Sequence, residues 1–314
     1  MDAEWGGRVI VDPIPRAGTE NLAIDWMLLS VAAGEPENEE LNESAGVAKY
    51  RKEASTEVPI LRFYRWRPTL SLGHFQTEDS IPKEFAHTDG LEITRRPSGG
   101  GAIVHDQEWT YALVLPPKSY IGLLSIAESE DSKNEWNNQN TENGVKTSST
   151  HRSPVALVRQ IHWATVAMLR AEYGLNAQLA ENLARKANRT AAEFLCFQRR
   201  AAEDVVVISN ADQDIPEGVT ERITEKMEPY GAKVLGSAMR MRGGAVLIHG
   251  SFLMRRSEFA PTLPGIFDLV TKSEKNAWES QWELVQRWQR AIVYALCGRQ
   301  RPQRPTGAIS PTAW

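Results

Sequence analysis

Residues 95–106 read Arg-Arg-Pro-Ser-Gly-Gly-Gly-Ala-Ile-Val-His-Asp, and this run constrains the fold more than any other part of the chain. Three consecutive glycines give up backbone entropy on folding and offer nothing to a core. A fold retains them where backbone passes very close to a ligand or to another stretch of chain. Residues 91–94 before the run and 109–115 after it are β-branched, aromatic or leucine-rich, so the pattern predicts a glycine loop carried on a sheet. It is neither a dinucleotide fingerprint nor a phosphate-binding P-loop, because no Gly-Lys-Ser/Thr follows and no helix pattern opens after the glycines. Taken alone, the run reads first as an ordinary turn between two strands with solvated arginines.

Around it the chain alternates strand-like and helix-like segments. An apolar pattern from Leu22 to Leu29, preceded by Thr19-Glu20-Asn21, predicts an N-capped amphipathic helix whose Asp25 is a solvated or capping carboxylate. Residues 59–66 and 69–72 read as strands, and His74 as a structural or exposed histidine. Val155 to Tyr173 has helical spacing closed by Gly174, with His162 and Trp163 in or beside the core. Residues 204–208 and 245–254 are strands. In the second, Val246, Ile248, Phe252 and Met254 share one face and Leu247 and Leu253 the other, so both faces are buried. Residues 278–296 form a closing helix with Trp282, Val285, Trp288, Ile292 and Leu296 as its core stripe. Residues 34–58, 117–154 and 210–230 are polar and lack periodicity, which predicts insertions or mobile loops; 299–314 is expected to be a flexible tail.

The totals exclude several classes. A net charge of −4 gives no global basic surface for nucleic acid. No run approaches the roughly 18 apolar residues of a membrane helix, and the first residues carry no signal core, so a cytoplasmic protein is expected. Cys196 and Cys297 are far apart and match neither a metal-ligand spacing nor a disulfide framework. Cys196 sits between Leu195 and Phe197, where a free cysteine reads first as a small buried hydrophobe. Its functional reading requires a cation close in space, because the thiolate is the nucleophile. Lys233 is the candidate, ahead of Gly236, Ser237 and Ala238, whose backbone amides could receive an oxyanion.

Four motifs then converge. They are the glycine run with His105-Asp106 and Glu108-x-Thr110-Tyr111, the pair Cys196-Phe197, the segment Lys233-Val234-x-Gly236-Ser237-Ala238, and His249-Gly250-Ser251. In this order they resemble the cysteine-dependent octanoyltransferases of the lipoate-protein ligase A and biotin ligase superfamily. Asn21-x-Ala23-x-Asp25, Arg62-Phe63-Tyr64-x-Trp66 and Ser71-Leu72-Gly73-x-x-Gln76 are similar to further segments of that family. The resemblance implies an α/β (α+β) fold, a mixed and largely antiparallel sheet flanked by helices, as one catalytic domain over 8–298 with the polar stretches as insertions.

It also implies a chemistry. Cys196 would be the nucleophile and Lys233 its charge partner. Arg96, Ser98, Gly99, Gly100, Gly101, Ala102, His105, Gly236, Ser237, Ala238 and His249 would bind the acyl group. The donor would be octanoyl-acyl carrier protein, and the acceptor a lipoyl-domain lysine of a protein such as glycine cleavage H protein or a 2-oxoacid dehydrogenase E2. No metal and no cofactor are expected, since a thioester is already activated. The chain departs from the family in two places. Thirty-six residues separate Cys196 from Lys233, more than relatives place there, and the fold must bring the two together. Gly101 stands where this branch carries a bulkier residue, and Ser-Gly-Gly-Gly is the spelling of the ATP-dependent lipoate ligases. Ligase, octanoyl amidotransferase between lipoyl proteins, and non-catalytic acyl-binding protein are therefore the alternatives. The basic residues Arg199, Arg200, Arg240, Arg242, Arg255 and Arg256 read as solvated charge that could also meet an acidic carrier.

Overall fold

The computed structural model describes residues 6–35, 45–86, 88–123, 153–181, 194–208, 231–269 and 281–297. The strands are β1 (Arg8–Arg16), β2 (Ile60–Trp66), β3 (Thr69–Leu72), β4 (Glu92–Arg95), β5 (Ile103–His105), β6 (Glu108–Leu115), β7 (Ala177–Leu179), β8 (Val205–Val207), β9 (Ala232–Arg242) and β10 (Ala245–Leu253). Among the described residues they form a seven-stranded sheet ordered β1-β2-β6-β10-β9-β8-β7 and a three-stranded sheet ordered β4-β3-β5. The pairs β1–β2 and β3–β4 are parallel and all the others antiparallel. The fold is thus the expected mixed, largely antiparallel α/β architecture.

Helices cover both faces of the large sheet. Helices α1 (Gly18–Ala32) and α2 (Ala45–Arg51) close one face, where Leu28, Leu29 and Tyr50 pack on Tyr64, Val114 and Leu247. On the other face α3 (Val155–Tyr173) and α4 (Gln281–Leu296) bring Ile161, Leu169, Trp288 and Ile292 onto Phe63, Tyr111, Ile248 and Phe252. Strand β10 is buried along its whole length, and its alternating side chains feed the two cores as its sequence pattern predicts. Trp288 fixes α4: its ring meets Phe63 and Tyr111 edge-on, and its indole N–H donates to Thr165 Oγ1 at 2.9 Å. Trp282 is not part of this stripe. It is 41% exposed and tilts against Trp109 at the start of β6. Helix α3 ends at Gly174, left-handed with φ +63°, as expected.

Local sequence misjudged three other features. Asp25 is neither solvated nor a cap: it is buried beneath the sheet, accepting from Arg62 Nη1 at 2.9 Å and Tyr64 Oη at 2.6 Å. Asn21 Oδ1 takes the other Arg62 nitrogen at 2.6 Å, so the residues shared by two of the family-like segments form one buried polar cluster. The N-terminus of α1 has no side-chain cap from Thr19 or its neighbours. Its free amides at Gly18 and Thr19 donate instead to the Glu92 carboxylate of β4, at 2.9 and 3.0 Å. Within the stretch read as a loop, α2 forms, burying Val47 and Tyr50, whose hydroxyl donates to Asp12. Of the expected polar segment 117–154, residues 117–123 are helical and 124–152 lie outside the described residues, as do 210–230 and the tail at 299–314. No helix among the described residues is long and apolar enough to cross a membrane.

Candidate active site

The glycine run leaves β4 and folds over the loop that follows β3. A Cβ on Gly73 would sit 2.0 Å from the Gly100 carbonyl oxygen, and Gly100 itself has φ +100°. A side chain at Gly73 would collide with that carbonyl, and the left-handed backbone of Gly100 favours glycine. Inside this double loop lies Arg96. Its guanidinium donates to the carbonyls of Ser71 at 2.9 Å, Gly99 at 3.0 Å and Gly101 at 2.7 Å. No carboxylate pairs with it among the described residues, and its Nε has no partner. Burial pulls its pKa down to about 10, partly opposed by Cys196 nearby, so it stays a cation at neutral pH.

Gly101 and Ala102 carry the nucleophile segment. The Cys196 amide donates to the Ala102 carbonyl at 2.7 Å and the Ala102 amide to Phe194 O at 3.1 Å, a parallel bridge between distant parts of the chain. A Cβ on Gly101 would lie 3.0 Å from Phe194 O and 3.1 Å from the Cys196 nitrogen. A side chain at the third glycine would press on the backbone of the cysteine segment. Cys196 opens a single 3₁₀ turn, partly exposed.

Lys233 reaches it from β9. Its Nζ stands 3.7 Å from Cys196 Sγ and 3.2 Å from the Cys196 carbonyl, and it pairs with Asp204 Oδ2 at 2.8 Å. Burial works to depress the Lys233 pKa, but Asp204 and Cys196 outweigh it and the net shift is upward, so Lys233 is held as an ammonium. The long separation in sequence is absorbed because β8 and β9 are antiparallel neighbours, with Val206 opposite Lys233.

The remaining wall is built by β6 and β10, paired with Thr110 opposite Ser251. His249 Nε2 lies 2.6 Å from Ser98 Oγ. Burial, reinforced by Arg96 and His105, pushes its pKa down to about 3, and the ring is neutral. The Ser237 hydroxyl is held between Tyr111 Oη at 2.8 Å and His162 Nε2 at 2.7 Å. Gly250 leaves the space for this contact, since a Cβ there would fall 2.3 Å from Ser237 Oγ. His105 stacks on Trp66 with ring centroids 3.9 Å apart, and its Nδ1 is 2.5 Å from Glu108 Oε1. Trp66 Nε1 in turn donates to Thr110 Oγ1 at 2.8 Å.

These side chains surround one cavity of about 50 Å³, lined mainly by apolar surface. Of the residues expected from sequence, Arg96, Gly99, Gly100, His105, Cys196, Gly236, Ser237, Ala238 and His249 line it. Ser98, Gly101, Ala102 and Lys233 stand behind the wall and position those that do. Gly236, Ser237 and Ala238 belong to the β9–β10 ladder, so their alternate amides are already taken. The basic surface residues are partly committed: Arg200 ties Phe197 to Gly231 through their carbonyls, and Arg242 pairs with Glu35. Sequence reading missed Asp204, Trp66, His162 and Ser251 as parts of the site. Among the described residues no cluster of three His, Cys, Asp or Glu side chains could hold a metal.

Residues 43–128 match the family model for the lipoyl protein ligase A/B catalytic domain. Octanoyltransferase LipM of Carboxydothermus hydrogenoformans is 38% identical over 33% of this chain and 32% of its own. Octanoyltransferase LipM of Kyrpidia tusciae is 28% identical over 73% of this chain and 66% of its own. The first curated relatives are thus matched over about a third of their length or less. A T. acidophilum protein described as a lipoate protein ligase, solved with lipoic acid bound, shares the fold. The TM-score is 0.51 at 18% identity, over 92% of this chain and 86% of that one. In family model, in relatives and in fold, the chain resembles the octanoyltransferases and lipoate ligases of the lipoyl protein ligase A/B type, as its motifs indicated.

Proposed function

We propose that the chain transfers an octanoyl group from acyl carrier protein to a lipoyl-domain lysine through a Cys196 thioester. The observation that carries this reading is Lys233 Nζ at 3.7 Å from Cys196 Sγ beside an apolar cavity, although the two residues come from different elements. In the first half-reaction the Cys196 thiolate attacks the donor thioester carbonyl. The negative charge on the resulting tetrahedral oxygen faces two buried cations, Arg96 and Lys233, and charge placed in advance in a dry site is the strongest form of such help. The intermediate collapses with loss of the phosphopantetheine thiolate, leaving octanoyl on Cys196. In the second, the acceptor lysine amine attacks that thioester, an amide forms and the Cys196 thiolate leaves. Apolar lining favours the acyl chain by about 0.8 kcal/mol per buried CH₂. A free thiol nucleophile suits a reducing compartment, and the cytoplasm supplies one.

The ligase reading rested on Gly101. A ligase needs no cysteine, and the Lys233 ammonium 3.7 Å from Cys196 Sγ favours the transferase. The likeness to octanoyltransferases and to the lipoyl protein ligase catalytic domain supports the acceptor class. Intact-mass spectrometry after mixing the protein with octanoyl-carrier protein, without ATP, tests the reading. A hydroxylamine-sensitive octanoyl adduct is expected on wild type and not on Cys196→Ala. Absence of the adduct on wild type would overturn the cysteine mechanism, and product formed only with ATP and free octanoate would install the ligase instead.

A further inference from the structure

We propose that His105 is the base that takes the proton from the acceptor amine, and that Glu108 is the positioning residue that keeps His105 Nε2 open for it. This rests on the transfer reading above. The second half-reaction needs a proton acceptor, and two of the basic side chains at the site are already committed. Lys233 is an ammonium clamped between Asp204 and Cys196. His249 Nε2 is occupied by the Ser98 hydroxyl.

His105 differs from both. It lines the same cavity as Cys196, its Nδ1 is engaged by Glu108 Oε1 at 2.5 Å, and Nε2 has no hydrogen-bond partner among the described residues. The second Glu108 oxygen accepts the Asp106 amide at 2.6 Å, so the carboxylate cannot swing away. Glu108 is 1% exposed and His105 3%. Trp66 covers one face of the imidazole with an interplanar angle of 9°, fixing the ring plane. A buried carboxylate facing Nδ1 places the imidazole proton there and leaves the lone pair on Nε2. Three other titratable or charged groups share its cavity: Arg96 from the glycine loop, His249 from β10, and Cys196 from its 3₁₀ turn.

A neutral lysine amine adds to the thioester carbonyl, forming the C–N bond and an oxyanion. His105 Nε2 takes a proton from the ammonium nitrogen, giving an imidazolium held by Glu108 and faced by the Trp66 indole. The oxyanion collapses, the C–S bond breaks and the electron pair leaves on Cys196 sulfur opposite Lys233. The imidazolium then returns its proton to solvent.

Glu108→Gln tests this in the full chain. The Asp106 N–H and the His105 Nδ1–H meet different carboxylate oxygens, and in glutamine one of these becomes an NH₂ that cannot accept. With the oxygen on Asp106, the amide NH₂ faces Nδ1 and the imidazole proton must move to Nε2, closing the lone pair. Acylation by octanoyl-carrier protein, followed by intact mass, is expected within about threefold of wild type. Transfer from the preformed acyl-enzyme to a lipoyl-domain lysine is expected to fall about 100-fold, the lower end of what a positioned base contributes. Equal loss in both half-reactions, or unchanged transfer, overturns the proposal. Nitrogen-15 NMR of the wild-type histidines is independent of any variant: His105 protonated on Nε2 in the resting enzyme also overturns it. A wild type that forms no adduct at all defeats the transfer reading itself, a separate and recognisable result.

Discussion

A single carbon added at residue 236 would lie 2.6 Å from Cε and 2.8 Å from Nζ of Lys233. The lysine crosses directly over this glycine on its way to Asp204 and Cys196, so the three-residue spacing in Lys233-x-x-Gly236 is a steric requirement of the charge pair. Gly236→Ala is expected to push the flexible lysine head aside and leave the strand in place. Acylation should slow at least about tenfold, equivalent to about 1.4 kcal/mol in the barrier, while circular dichroism is unchanged; normal acylation would show that Lys233 does not assist. Individual residues were unevenly legible. Cys196, Lys233 and Gly236 could be picked out by motif, but the reason for each glycine appeared only with its neighbours. Asp204 was missed because an acid before Val205-Val206-Val207 reads as the edge of a strand. Its partner is fixed by β8–β9 register, which no local pattern encodes. Glu108 stood in a recognised motif, but its contact with His105 appeared only with the turn that joins β5 to β6.

At the scale of elements, the sequence was most readable where periodicity is long. Strand β10, buried on both faces, and α3, closed by Gly174, lie where the pattern puts them. The start of α1 was misread because its cap comes from β4, more than seventy residues away, and α2 was missed because seven residues give too short a period. Glu92 thereby couples the small sheet to the helix whose Leu22 lines the cavity. A carboxylate at a helix N-terminus satisfies free amides and opposes the helix dipole. Glu92→Gln keeps the shape and loses the charge, so a destabilisation of about 1 kcal/mol is expected in urea unfolding. An unchanged midpoint would mean that the coupling is carried by packing alone.

For the whole molecule, two buried histidines set the response to acid. Burial lowers the pKa of His162 to about 4 and that of His249 to about 3, against 6.5 when exposed. Between those values and 6.5 the unfolded chain binds the extra protons, so stability rises with pH and is lost as pH falls below 6.5. Each histidine contributes at most about 1.4 kcal/mol per pH unit across that window. Urea midpoints measured from pH 7 to pH 4 should fall steadily, and His162→Gln should flatten the slope. A flat profile between pH 6.5 and 5 would contradict the burial of both rings.

The large sheet has a further consequence through its strand order. β1, β2 and β6 come from the first 123 residues and β7 to β10 from the residues after 153, and in the large sheet, among the described residues, the two groups are joined by the pairing of β6 with β10. The cavity straddles that seam: Arg96, His105 and Thr110 stand on one side, Cys196, His249 and Ser251 on the other. A chain cut between 124 and 152 would therefore yield two halves, each holding an incomplete reaction centre. Expressed separately, they should be inert alone and regain turnover on mixing, with a rate that rises with the product of their concentrations. The protein would then serve as a split reporter whose signal is acyl transfer itself.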